Sequence, residues 1–269
     1  MDILLLLFTT GLFGWFLSRS LRKRPVFSQA LITPVIWTVG DAVLAVFSLL
    51  LFFAVANLFI ERIFPGRDRV EMGLIGTVCF FLIESLVCAF ILMIIYGRGG
   101  SVGETLGIRG RRWVNEFWAG ILCFFIFLPI VFLSGKFVEL MERLWGGRLP
   151  RQPIVDLLEN VRTPQGLGML IFMGLVFAPF AEELLFRVFL YGALRKRFGA
   201  STAISVSALI FSVIHFNYFS LLPVFVLGLV LAYIYEKRQS ILAPMALHMA
   251  HNGLQFLVFF AFRGVVSSV

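Results

Sequence analysis

Charge is scarce in this 269-residue chain. Asp, Glu, Lys and Arg make up 14% of it, against about 25% in an ordinary soluble domain, while 60% of the residues are hydrophobic. A water-soluble globule of this size cannot hide that much apolar surface. Disorder and an ordinary cytosolic enzyme are thereby excluded. Cysteine is scarcer still. Cys79, Cys88 and Cys123 lie inside apolar stretches, are odd in number and form no C-x-x-C. That excludes a disulfide framework or a zinc finger and leaves three small buried hydrophobes. Histidine is confined to His215, His248 and His251. No Ser or Cys is read as a nucleophile of the G-x-S-x-G kind, no H-E-x-x-H zinc helix occurs, and neither an internal repeat nor a low-complexity tract stands out.

What is present in abundance is lipid-compatible length. A membrane-crossing helix needs roughly 17–25 mostly apolar residues. The candidate spans are Ile3–Leu17, Val35–Ile60, Met72–Tyr96, Phe117–Gly135, Gly166–Tyr191, Thr202–Phe216, Ser220–Tyr235 and Ile241–Phe262. The expected fold is therefore all-α and polytopic, with about eight transmembrane helices. Residues 1–164 form an N-terminal four-helix region and residues 165–269 a second helical unit. The net charge of +8 sits in short clusters between apolar runs, which is a topology signal and not a nucleic-acid footprint. Thirteen Lys and Arg fall on one side of the alternation, including Arg19, Arg22, Lys23 and Arg24, and nine on the other. The positive-inside rule makes the first side cytoplasmic and puts both termini outside. Ile3–Leu17 has no basic residues before it, unlike a signal peptide, and reads as an uncleaved span. The connector Gly97–Glu116 is expected to be a flexible cytoplasmic linker, and Lys136–Pro164 to contain an amphipathic piece at the outer interface.

An ionisable side chain at mid-bilayer costs about 2.5–3.5 kcal/mol or more and is a functional candidate by default. The spans contain Asp41, Glu84, Glu182, Glu183, Arg187 and all three histidines. Asp41 and Glu84 have no assigned role at this level. In Ala181–Phe189, Glu183 and Arg187 are four apart and can pair on one face, while Glu182 points about 100° away. Pro179 cannot donate to the Leu175 carbonyl, so a kink and an open acceptor are expected there. On the next spans, Phe211 and His215 are four apart, as are His248 and Asn252. A rise of about 1.5 Å per residue puts Glu182, His215 and Asn252 roughly 18–22 Å from the cytoplasmic end of their helices, and His248 roughly 12 Å. A poorly solvated Glu182 walled by Phe and Leu suits a general base. With His215 it can activate a water, and His248 and Asn252 can donate to the oxyanion that develops. A structural ion-pair cluster holding helices together remains the competing explanation.

The ordered set E-E-x-x-x-R, F-x-x-x-H and H-x-x-x-N, carried by Glu182, Glu183 and Arg187, by Phe211 and His215, and by His248 and Asn252, resembles the CPBP family of intramembrane CAAX-type and bacteriocin-processing proteases. The resemblance covers roughly residues 165–262. It implies an intramembrane glutamic endopeptidase without a cofactor, in which Glu182, His215, His248 and Asn252 are catalytic and Glu183, Arg187 and Phe211 supporting. The implied partners are the lipid bilayer and a membrane-anchored or lipidated protein or peptide, with no nucleic acid. His251 lies outside the motif. Two alternatives stay open. Glu182, His215 and His248 have the ligand types of a zinc site, although the resemblance favours a metal-free one. The same polar cluster would also suit a non-enzymatic scaffold, immunity protein or ion pathway.

Overall fold

A computed structural model describes residues 35–108, 113–145, 153–216 and 220–266. The expected span Ile3–Leu17 and the basic cluster after it lie outside the described residues. Among the described residues the regular structure is all helical: α1 (Val39–Ile63), α2 (Arg69–Gly97), α3 (Val102–Thr105), α4 (Trp113–Trp145), α5 (Pro153–Asn160), α6 (Pro164–Phe198), α7 (Ala200–Val213), α8 (Leu221–Arg238) and α9 (Leu242–Val266). Five of these, α1, α2, α4, α6 and α9, are long and apolar enough to cross a membrane. The 14-residue α7 and the 18-residue α8 complete the bundle beside them. The protein is an all-α, multi-pass membrane protein.

The helix starts follow from their caps. The Thr38 side chain accepts from Asp41 N while Asp41 returns a bond to Thr38 N, a reciprocal cap for α1. Asp68 accepts from Val70 N and Glu71 N to open α2. Thr163 followed by Pro164 opens α6. Asp41 has a second task. Its carboxylate takes both Arg98 terminal nitrogens, at 2.7 and 2.9 Å, and so ties the end of α2 to the start of α1.

Helix α6 is the axis of the molecule. From Leu184 to Leu194 every residue is buried, as expected of a helix that is apolar on all sides, and α1, α2, α7 and α8 pack around it. Phe47, Leu58, Leu86 and Trp118 are all more than half exposed on the outer faces of α1, α2 and α4, where lipid replaces water as their solvent. Near the basic end of α6, buried Glu236 of α8 accepts from Tyr191 Oη at 2.5 Å and pairs with Arg195 at 3.2 Å.

The connector after α2 differs from expectation. Its described part up to Ile108 is packed in place and not a loose linker: Thr105 is fully buried, Ile241 N donates to Leu106 O, and Gly107 (φ +68°) lies so close to the Gln239 carbonyl that a Cβ would collide with it. Its residues Gly99–Gly103 also have the spelling G-x-S-x-G. Ser101 lies between two helices with no strand before it, which is not the strand–turn–helix setting a nucleophile elbow requires. Beyond α4, the amphipathic helix α5 packs Leu157 and Leu158 against Val70, Leu74 and Leu170.

Candidate active site

The site is built on a helix that changes its hydrogen-bond register twice. Within α6, Met173–Phe177 and Leu184–Tyr191 are π-helical and flank the α-helical Ala178–Glu183. Ala178 N donates to Met173 O, five residues back. In that register the next amide would serve Gly174 O, but residue 179 is proline and has no N–H. The open acceptor is therefore Gly174, one residue earlier than i→i−4 counting puts it. Asn252 of α9 fills it, its Nδ2 donating to Gly174 O at 2.8 Å. The second hydrogen on Nδ2 remains for another partner.

Glu183 is fully buried and joins two of the expected groups. Its Oε2 lies 2.9 Å from Arg187 Nε, an ion pair without hydrogen-bond alignment. Its Oε1 lies 2.9 Å from His248 Nδ1. A carboxylate can only accept, so Nδ1 carries the hydrogen and Nε2 is the free end of the His248 ring. That Nε2 faces Glu182 Oε2 at 3.7 Å, beyond hydrogen-bonding range. Glu182, one residue round the helix, is less buried and lines a cavity of about 1210 Å³ that also receives His215, Phe80, Gly174 and Phe216. The far lining, Asp68, Arg69, Asp156 and Asn160, comes from the ends of α2 and α5.

His215 is not inside its helix. Helix α7 stops at Val213 and His215 lies in the turn beyond, exposed to the cavity. Its backbone N–H bonds Ser212 O, three residues back. The Phe211 carbonyl instead accepts from its Nδ1 at 2.7 Å. The carbonyl fixes the tautomer, so that in the neutral ring Nε2 is the acceptor. Phe216, the next residue, has φ +48°, a left-handed conformation uncommon for a bulky side chain and a form of strain found at functional positions.

Phe211 organises the rest. Its fully buried ring sits 4.3 Å from the Arg187 guanidinium, 4.7 Å from the His215 ring and 6.0 Å from the His248 ring, with Phe186 edge-on at 5.2 Å. One aromatic therefore faces the cation and borders both imidazoles. The expected residues thus fall into a cavity-facing group, Glu182 and His215, and a buried group behind it, Glu183, Arg187, Phe211 and His248, with Asn252 bridging to α6. His251 turns away, bonded to Gln255 Nε2 at 2.7 Å in a separate cavity of about 750 Å³ between α4, α8 and α9. The sequence singled out Glu84 of α2 but gave it no role. It is buried, its Oε2 has no hydrogen-bond partner, and the Glu182 carboxylate lies within electrostatic reach. Its lone charge in an apolar span was the signal available. Among the described residues no three His, Cys, Asp or Glu side chains are grouped to hold a metal ion.

Comparison with known proteins agrees with the motifs. Residues 164–254 match the family described as Type II CAAX prenyl endopeptidase Rce1-like. The "Putative membrane peptidase YdiL" of Bacillus subtilis (strain 168) is 23% identical over 187 residues, 70% of this chain and 74% of that protein. The "UPF0177 protein YxdF" of Lactococcus lactis subsp. lactis (strain IL1403) is 27% identical over 78 residues, 29% of this chain and 42% of that one. No solved structure matches. The resemblance to the CPBP and CAAX-protease family read from the three motifs is borne out.

Proposed function

We propose that this membrane protein is an endopeptidase that hydrolyses a peptide bond of a membrane-associated substrate, of the CAAX type or a C-terminal sorting tail, using water activated by Glu182 and His215. The observation that carries the reading is that a carboxylate and an imidazole acceptor line one cavity, with a second imidazole clamped beside the carboxylate by Glu183. The match to a peptidase family and the name of the Bacillus relative support the same class of reaction.

In this scheme the Glu182 carboxylate takes a proton from a water held against His215 Nε2, and the hydroxide attacks the scissile carbonyl. His248 Nε2, when protonated, and the free N–H of Asn252 donate to the oxyanion. Such donors are each worth about 10²–10³ in kcat. Glu182 then returns its proton to the leaving amine. The buried Glu183 carboxylate offsets the charge on His248 and holds its ring in one orientation. No covalent intermediate is formed, so the water and the leaving group are handled by the same carboxyl group.

The test compares membrane peptides from cells carrying wild-type protein or Glu182→Gln, by mass spectrometry. Peptides cut only by the wild type are expected, with an equally folded and abundant variant. Cutting that persists in the variant refutes Glu182 as the base.

A further inference from the structure

Glu84 is a buried carboxyl group near the site that the scheme above leaves unused. It lies on the same stripe of α2 as Gly73, Gly76, Thr77 and Phe80, which line the cavity, one turn beyond the last of them. Counted from Gly97, it is about 20 Å along its helix, the level at which Glu182 stands on α6, and α2 packs against that stretch of α6. It is 4% exposed. Both Glu84 Oε2 and Glu182 Oε2 are buried without a hydrogen-bond partner, and each carboxyl lies in the other's field.

Two neighbouring carboxyl groups in an apolar wall cannot both carry charge unless a cation sits with them. The groups around the pair are Cys88 one turn on along α2, Glu183 and Arg187 on α6, and His248 on α9. Arg187 and, when protonated, His248 balance the Glu183 and Glu182 carboxylates, and among the described residues no basic group pairs with Glu84. A carboxylic acid next to a carboxylate resolves the conflict, because the acid supplies the O–H that the carboxylate lacks.

We propose that Glu84 is a positioning residue that keeps its proton and donates it as a hydrogen bond, directly or through one water, to the Glu182 carboxylate. The pair then holds one proton and one negative charge, and the acceptor oxygen of Glu182 is turned to the cavity. Glu84 gives up no proton during turnover. This role rests on Glu182 being the general base, but the protonated state of Glu84 does not.

Infrared spectroscopy of the full chain in lipid nanodiscs separates the two. A protonated-carboxyl C=O band is expected in the wild type, absent in Glu84→Gln and shifted in Glu182→Gln. A band that survives unchanged in Glu84→Gln overturns the proposal, whatever the protein cleaves. In the cleavage assay, Glu84→Leu removes the donor that favours the ionised base. The acid limb of kcat/KM should rise by about one pH unit, with kcat/KM roughly fivefold lower at the former midpoint. Glu84→Gln keeps a donor and should restore both rate and limb. A limb that moves down in Glu84→Gln reveals an ionised Glu84 and refutes the assignment. A wild type that cuts nothing refutes the peptidase reading alone, and the infrared result still decides this one.

Discussion

Glu183 offers the sharpest test of how the site is held together. The substitution Glu183→Gln keeps the volume and an oxygen that can still accept from His248 Nδ1–H. It replaces Oε2, 2.9 Å from Arg187 Nε, by an amide NH₂. Donor then faces donor, and a guanidinium that is 1% exposed loses its counter-charge. Breaking a buried pair in this way costs about 3–5 kcal/mol because the remaining ion is uncompensated. The Phe211 face at 4.3 Å returns no more than about 2 kcal/mol of that and does so already in the wild type, so it does not reduce the loss. Against a typical stability of about 5–15 kcal/mol, the variant should melt well below the wild type in detergent. Adding Arg187→Met removes the orphaned cation and should recover most of the loss, which gives a coupling energy of at least about 3 kcal/mol, at or above the top of the range seen for residues in contact. Refutation is equally definite: an unchanged melting point in Glu183→Gln, or single and double variants that add to within about 0.5 kcal/mol, means that the pair does not hold the site.

Three further outcomes follow from the same geometry. Asn252→Ala should lose an oxyanion donor, lowering kcat about 10²–10³-fold, and leave Gly174 O unpaired at about 1–3 kcal/mol. Combining it with Pro179→Ala supplies a backbone donor in the i→i−5 register, so thermal stability should return while cleavage does not. Phe211→Leu should destabilise by about 1–3 kcal/mol and cut activity at least tenfold by releasing both imidazoles, as seen in melting curves and initial rates. Since we propose a metal-free site, exhaustive dialysis against a chelator should leave the cleavage rate unchanged, and restoration of a lost rate by added zinc would refute that.

The helical membrane fold was legible because apolar length is a one-dimensional property. Seven candidate spans from Val35 onward coincide with α1, α2, α4, α6, α7, α8 and α9 to within a turn or two at most ends. The Glu183–Arg187 pair was legible because i,i+4 neighbours meet on any helix. What escaped were features set by register and by lateral neighbours. The π segments shift the open carbonyl from Leu175 to Gly174, and hydropathy does not register the size of a hydrogen-bonded ring. His215 falls past the end of α7 because its turn is completed by its own side chain. Glu183, not Glu182, holds His248, and Asp41 finds Arg98 57 positions away; depth along a helix says nothing about which helix lies alongside. The packed connector at Thr105 and Gly107 was hidden by a glycine-rich, basic composition that reads as a linker.

The two π segments in α6 bear on length variation in this chain. A π turn is an α turn carrying one surplus residue, so a helix that contains one can lose a residue there and become regular without being severed. The wide turn has already absorbed the surplus residue, so the remainder of the helix keeps its facing, whereas a deletion from a regular α stretch would turn it by about 100°. Six α-helical residues, Ala178–Glu183, sit between two such places. Deleting one residue from Met173–Phe177 would close the wide turn and leave the glutamates facing as they do. Deleting one from Leu184–Tyr191 would leave Arg195 in reach of Glu236. The same helix thus has two points at which a residue can be lost without re-phasing its halves, and the carboxylates, on the regular piece between them, tolerate no such loss.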